Sequence, residues 1–309
     1  MPTVWAPVMA RPDIGPWLSL EPPEAIISVL HDLVRRLEHA GGLDRLAKPL
    51  AGAVAPLVRP QVVRNVLSGT YLGHPLHPML TDVPLGAWSM SVLLDLAGGP
   101  SAEGAADLLV RAGIVAALPT VASGLNDWSD TYGPETRVGL AHAAANTTAL
   151  GLYILSAMAR ARGERRRAKR LGLAGLATVM VGGYLGGHLS FVKGVNINRT
   201  AWEERPATWT LALSDPELGE GEANEVQVSD ARVLLCRLDG QVRALASTCS
   251  HMGGPLEQGT LADGCVTCPW HGSVFRLDDG GIVRGPATTP QPVYETRVAD
   301  GRIEVRASS

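Results

Sequence analysis

Four cysteines, two phenylalanines and a net charge of −3 in 309 residues set the first limits. Without a basic excess the chain offers no electrostatic footprint for nucleic acid, and none is expected as a partner. No glycine-rich dinucleotide motif is evident, which argues against direct oxidation of NAD(P)H. The first residues hold Pro2, Pro7, Pro12 and Pro16 but no charged stretch followed by an apolar core. They do not read as a cleaved secretory signal.

The apolar residues, by contrast, are plentiful and unevenly placed. The length leaves room for about two domains. Residues 79–192 hold long apolar stretches, whereas 203–309 has an ordinary soluble composition. Four candidate membrane spans cover about 79–98, 108–125, 138–159 and 171–192, each near the roughly 20 residues that cross a bilayer. They are rich in Ala, Gly and Leu, and small residues let helices approach closely in lipid. Asp82 and Asp95 lie near the ends of the first, and Arg111 near the start of the second, where it can snorkel. A soluble, Ala-rich bundle is the competing reading. Before the spans, Ile26, Leu30, Leu33 and Leu37 recur at helical spacing, with Asp32, Arg35 and Arg36 off that face, as in an amphipathic helix. Residues 41–62 are expected to be broken at Pro49, Pro56 and Pro60.

From 225 onward the pattern changes to short alternating strands: 226–228, 232–236, 242–246, 274–277, 293–298 and 303–305. Asp239-Gly240, Asp263-Gly264, Asp278-Asp279-Gly280 and Asp300-Gly301 are hairpin turn signals. The expected fold is therefore multidomain: a four-span α-helical transmembrane bundle followed by an all-β sandwich. The divisions are a 1–70 segment with the amphipathic helix, a 71–195 membrane domain, a 196–206 linker and a 207–309 β-domain.

The β-domain carries the most specific signal: Cys249-Ser-His251, sixteen residues, then Cys268-Pro-Trp-His271. Two thiolates and two imidazoles suit an iron–sulfur cluster with two Cys on one iron and two His on the other. Zinc also binds Cys₂His₂ sets. The loops favour iron. Met252-Gly253-Gly254-Pro255-Leu256 and Gly272-Ser273-Val274-Phe275 follow the two pairs, and glycine lets backbone N–H groups approach sulfur. A zinc finger would place its His three to five residues apart on a helix.

At these residues, over about 207–306, the chain resembles the Rieske [2Fe-2S] family. The resemblance implies Cys249, His251, Cys268 and His271 as cluster ligands and one-electron transfer as the activity. Cytochrome-complex members join their cluster loops by a disulfide; those positions look like Gly254 and Trp270 here, so that bridge cannot form. The Pro269-Trp270 version is similar to the ferredoxins and oxygenase domains. Absence of the bridge fits a reducing compartment. Of the other cysteines, Cys236 reads as a buried strand thiol. In high-potential relatives a Ser and a Tyr hydroxyl support the cluster; Ser273 resembles the first, while Phe275 stands in the second position. This implies a potential in the lower or middle part of the roughly −150 to +300 mV class range. Residues 70–200 resemble an uncharacterised family of four-span bacterial membrane domains, through Gly73-His74-Pro75-Leu76-His77-Pro78 and the Gly-Gly-His188 segment.

Four spans would bring His74, His77, His142 and His188 to one membrane face, with Asp82, Asn126, Asp127 and Asn146, on the side from which the β-domain leaves. Polar residues in membrane helices tend to be functional. A second site is therefore expected there: a b-type haem with two axial His (His142 and His188 being candidates), a metal or a quinone pocket, against simple interfacial hydrogen bonding. Membrane lipid and a redox partner protein or quinone are the expected partners. The basic 160–170 loop would stay inside and put the cluster domain outside. Arg59, Arg64, Lys193, Arg199 and Arg205 pull the other way, which leaves the side of a multi-pass cell-membrane protein open. A tethered electron carrier, or oxidoreductase component, leads. A redox sensor competes, as does a component of an oxygenase chain; a self-contained oxygenase is disfavoured, because no His follows His271 to build a second iron site.

Overall fold

The computed structural model describes residues 24–58 and 60–308. Pro2, Pro7, Pro12, Pro16 and Arg59 lie outside the described residues, as does the side chain of Ile26. Among the described residues, seven α-helices precede ten β-strands. Helices α1 (Glu24–His39), α2 (Asp44–Val58) and α3 (Gln61–Ser68) lead into α4 (Leu76–Ala97), α5 (Glu103–Trp128), α6 (Gly133–Ala161) and α7 (Arg165–Gly187), which ends in a π-turn at His188–Val192. In α1, Val34 and Leu37 meet Val138 and Leu185, while Leu30 and Leu33 are exposed. One expectation is corrected at the start: helix α2 runs through Pro49 and Pro56, and of the three prolines only Pro60 lies at a break, ahead of α3.

Helices α4–α7 are apolar outside and bury polar side chains beside an apolar core of Trp88, Val110, Ala149, Tyr153 and Val179. Leu96, Leu108, Leu118, Met180 and Val181 are exposed, whereas Ser91, Ser123, Asn126, Ser156 and Arg160 are buried. An apolar exterior of this extent suits a hydrocarbon solvent. Three helices, over Pro100–Trp128, Gly133–Ala161 and Arg165–Val192, are long and apolar enough to cross a membrane by length and composition. The expected first span, α4, is 22 residues long but falls outside that set. Asp82, Asp95 and Pro84 interrupt its apolar run.

The two helical hairpins, α4–α5 and α6–α7, close by seating a large side chain on a glycine. Trp88 of α4 lies against Gly113 of α5, and His77 against Gly124. On α6, Tyr153, Asn146 and His142 lie against Gly175, Gly182 and Gly186 of α7. Small residues at these crossings allow the backbones to approach, which is how helices gain packing energy in lipid. At the far end Arg160, with an almost fully buried side chain, pairs with Asp95 and Asp107, and Arg165 pairs with Asp107 and Glu103. Two of the seven basic residues at 160–170 are thus paired with carboxylates of the bundle.

The β-domain has a six-stranded sheet in the order β1-β10-β9-β4-β3-β2 and a four-stranded sheet β5-β6-β7-β8. The strands of the first are β1 (Thr210–Ser214), β2 (Ala223–Val228), β3 (Ala231–Leu238), β4 (Gln241–Ala246), β9 (Val293–Ala299) and β10 (Arg302–Ala307). Those of the second are β5 (Thr260–Ala262), β6 (Cys265–Thr267), β7 (Val274–Arg276) and β8 (Ile282–Arg284). Strand β3 explains its own unbroken apolar run. Val233 and Leu235 enter one core, with Ala244 and Ile303, while Leu234 and Cys236 enter a second, with Leu245, Val266 and Phe275. A strand covered on both faces has no polar face to show. Positive φ at Asp239, Gly240, Asp263, Gly264, Asp300 and Gly301 matches the expected type I′ hairpins.

Candidate functional site

The first Cys–His loop follows β4 and the second joins β6 to β7. Each is closed by its own backbone. Cys249 N–H donates to Gly254 O (2.8 Å) and Gly253 N–H to Cys249 O (2.9 Å). In the second loop Cys268 N–H donates to Ser273 O (2.8 Å) and Gly272 N–H to Cys268 O (3.1 Å). Gly253 and Gly272 have φ of 80° and 75°, a conformation cheap only for glycine. The loops meet. A Cβ on Gly254 would lie 2.7 Å from Cys268 Sγ and 3.1 Å from Trp270 Cγ. Gly254 and Trp270 therefore face one another, and all four cysteines are free thiols.

Cys249 and Cys268 are buried in the second core beside Phe275. A hydrogen bond between the two sulfurs drives their pKa values apart, raising Cys249 and lowering Cys268. The rings of His251 and His271 stand edge to face with centres 5.1 Å apart. Burial lowers both pKa values, that of His251 to about 3, and favours neutral imidazole. Nδ1 of His251 and Nε2 of His271 are buried without a hydrogen-bond partner. Two sulfurs in an apolar floor, and two neutral imidazoles each with a free nitrogen, fit a cluster held by one Cys pair and one His pair. Ser273 is fully buried, and its Oγ accepts the Ala287 N–H (3.0 Å).

The two histidines point at the helical domain. His251 Nε2 lies 3.7 Å from Asp130 Oδ2, and Arg64 donates to Asp130 Oδ1 (2.6 Å). Tyr132 stacks on His271 with ring centres 5.6 Å apart. Burial raises the Asp130 pKa, and the Arg64 guanidinium opposes that rise. Around this contact, Asn65 accepts the Gly285 N–H (3.1 Å), Thr70 donates to Ala287 O (3.1 Å) and Arg199 N–H donates to Ser250 O (3.1 Å). A cavity of about 280 Å³ lies beside it, with His74, Asp127 and Asn196 on one side and Ser250, His251 and Thr289 on the other.

The four expected membrane-domain histidines separate. His74 lines that cavity. His77 and His142 face each other with ring centres 6.3 Å apart. His188 stands elsewhere, 3.0 Å from Glu38, which also binds Lys193. Asp130, Tyr132 and Arg64 escaped the sequence reading, because only the fold brings them to the cluster loops.

A two-sheet β-domain that presents paired Cys–His loops at one tip defines an iron–sulfur electron-transfer module. The Rieske [2Fe-2S] domain family matches residues 208–295, and the family described as predicted membrane protein (DUF2231) matches 73–199. The mouse and human proteins named apoptosis-inducing factor 3 are 33% and 34% identical over 92 residues, 30% of this chain. The match spans only 15% of the length of those relatives. The anthranilate 1,2-dioxygenase ferredoxin subunit of Burkholderia cepacia is 30% identical over 99 residues, 32% of this chain and 92% of that protein. The cytochrome b6-f complex iron-sulfur subunit of Chlorobaculum tepidum is 31% identical over 97 residues, 29% of this chain and 52% of that protein. The chain belongs, through its β-domain, to the Rieske [2Fe-2S] family, joined to a predicted membrane-protein domain.

Proposed function

We propose that the protein is a membrane-tethered one-electron carrier that exchanges electrons at the face of its own membrane domain. When bound, the [2Fe-2S] cluster supplies one-electron chemistry. Cys249 and Cys268 would hold one iron as thiolates, and His251 and His271 would hold the other. Helices α4–α7 all cross the bilayer, α4 being shielded at Asp95 by Arg160. The observation that carries this reading is the contact of His251 and His271 with Asp130 and Tyr132, which turns the ligand tip inward.

The cavity between His251, His74 and Asp127 favours a small polar redox molecule, such as a quinone head group, as the exchange partner there. A redox partner protein would need the tip released. Haem b between His142 and His188, the expected axial pair, draws no support: His142 faces His77, whereas His188 stands beside Glu38. A sensor role would use the same interdomain contacts without net electron flow. EPR and optical spectra of the detergent-purified protein, before and after quinol, test the reading. A Rieske-type spectrum lost in Cys249→Ser and reduced by quinol is expected. A zinc-only protein, or a cluster that quinol and soluble reductases both leave oxidised, would overturn it.

A further inference from the structure

The two helical hairpins of the membrane domain are copies of one another. His77, Gly86, Trp88, Ser91 and Asp95 of α4 correspond to His142, Gly151, Tyr153, Ser156 and Arg160 of α6 at one offset of 65 residues. Ala106, Gly113, Thr120 and Gly124 of α5 correspond to Ala168, Gly175, Gly182 and Gly186 of α7 at one offset of 62. Equivalent residues touch: His77 meets His142, Trp88 stacks on Tyr153 with ring centres 4.2 Å apart, and Asp95 pairs with Arg160. Like meeting like is the mark of residues on a two-fold axis.

The histidine pair is also matched in its surroundings. His77 Nδ1 lies 3.0 Å from Thr120 O, and His142 Nδ1 lies 2.8 Å from Gly182 O, and these carbonyls are themselves equivalent. A carbonyl only accepts, so each Nδ1 carries the hydrogen and each Nε2 keeps its lone pair. Histidines that bind metals are oriented in this way. Each ring is also seated on a glycine, where a Cβ would come within 2.7 Å (Gly124) or 2.9 Å (Gly186). Asn146 Nδ2, which donates to His142 O (3.0 Å), lies over the His142 ring, 3.2 Å from Nε2 and 3.4 Å from Nδ1, and leaves the Nε2 lone pair free.

We propose that His77 and His142 bind one monovalent copper ion on this pseudo-two-fold axis. Two imidazoles whose nitrogens share one ion in a near-linear bridge, at metal–nitrogen distances near the roughly 2.0–2.1 Å of zinc, place their ring centres roughly 6–6.5 Å apart; the observed separation is 6.3 Å, with the ring planes 81° apart. Imidazole suits zinc, copper, iron and nickel and not magnesium or calcium, and of these copper is the metal that binds as a single charge. The hydrogen-bond partners of the pair are Thr120, Ser123, Gly182 and Asn146, with no carboxylate or thiolate. Neutral donors away from water favour a single charge, because the cost of desolvating an ion grows with the square of its charge. The inference is independent of how the cluster domain is used.

The test loads cluster-bearing, detergent-purified protein with Cu(I) against the competing chelator bicinchoninate. Copper and iron are then counted, and the copper X-ray absorption edge is recorded. One retained copper per cluster with a nitrogen-only shell is expected. His77→Gln and His142→Gln should each weaken retention by more than the roughly 10–100-fold that loss of an outer hydrogen bond costs, and His188→Gln should leave it unchanged. No copper retained by the unaltered protein, sulfur in its shell, zinc held in preference to copper, or full retention in the double variant would each overturn the site. Should a variant misfold, as a lost cluster spectrum would reveal, the absorption edge of the unaltered protein still decides.

Discussion

Phe275 is fully buried in the core that holds Cys249 and Cys268, so a hydroxyl added there would be delivered to a dry, sulfur-rich site. Hydrogen bonds to charged groups are worth about 1.5–3 kcal/mol, and for one electron a tenfold preference equals about 59 mV. Phe275→Tyr should therefore raise the potential by about 65–130 mV, and Ser273→Ala should lower it. Redox titration followed by EPR checks both; two unmoved potentials would show that neither side chain serves the cluster. The thiols outside the site give a second check. Burial pushes Cys236 up to about 11, so it holds far less thiolate at pH 8 than an ordinary cysteine and should resist maleimide. Cys265 is partly exposed and should react first, as peptide mass mapping would reveal. At this scale the sequence was most readable where chemistry demands fixed spacing, as in the two Cys–His pairs. Arg64, Asp130 and Tyr132 are ordinary residues in ordinary contexts. Nothing local marks them, because their role comes from a contact across the whole fold.

At the scale of elements, turns and long runs were legible and short strands only in part. The Asp-Gly pairs announce their hairpins because few residues tolerate positive φ. Of the three-residue strands β7 was read, whereas β5, β6 and β8 offered too little alternation to register, and β1 went unread as well. The duplication of the hairpins was hidden for a different reason. What repeats is the position of a large group against a glycine, while the chemistry changes: Trp88 becomes Tyr153 and Asp95 becomes Arg160. Even the flanking charges invert, with Asp107 bonded to Arg160 and Lys169 bonded to Asp95 O (2.6 Å). This inversion predicts a strong coupling. Removing one partner of a buried ion pair costs about 3–5 kcal/mol, whereas replacing both by apolar groups is often close to neutral. Asp95→Leu and Arg160→Leu should each destabilise the bundle strongly, and the double variant by less than their sum. Thermal unfolding in detergent of the four proteins measures this, and simple additivity would mean that the pair does not act as one unit.

The whole molecule poses a question that no single element raises, since a carrier whose ligand tip is sealed against its own membrane domain must either work there or let go. The seal rests on few contacts. Arg64 and Asp130, with side chains only 15% and 6% exposed, make its ionic centre, and Tyr132 covers His271. Asn65 and Thr70 grip the 285–287 loop from the side. Loss of Arg64 leaves Asp130, which faces His251 across the seal, without its cation, and removing one partner of a buried ion pair costs about 3–5 kcal/mol. The part of that cost that undocking relieves shifts the docking equilibrium, each roughly 1.4 kcal/mol being a factor of ten. Arg64→Ala combined with Tyr132→Ala should therefore free the tip. Reduction by a soluble ferredoxin reductase, too large to enter the interdomain cavity, should become at least about tenfold faster. Reduction by dithionite should not change, because a small reductant does not depend on the tip being free. If the two variants leave the reductase rate where it was, the tip is already free in solution, and exchange at the membrane-domain face loses its main support. If the reductase rate rises while quinol reduction falls, the same contacts both exclude large partners and build the place where the small one is read.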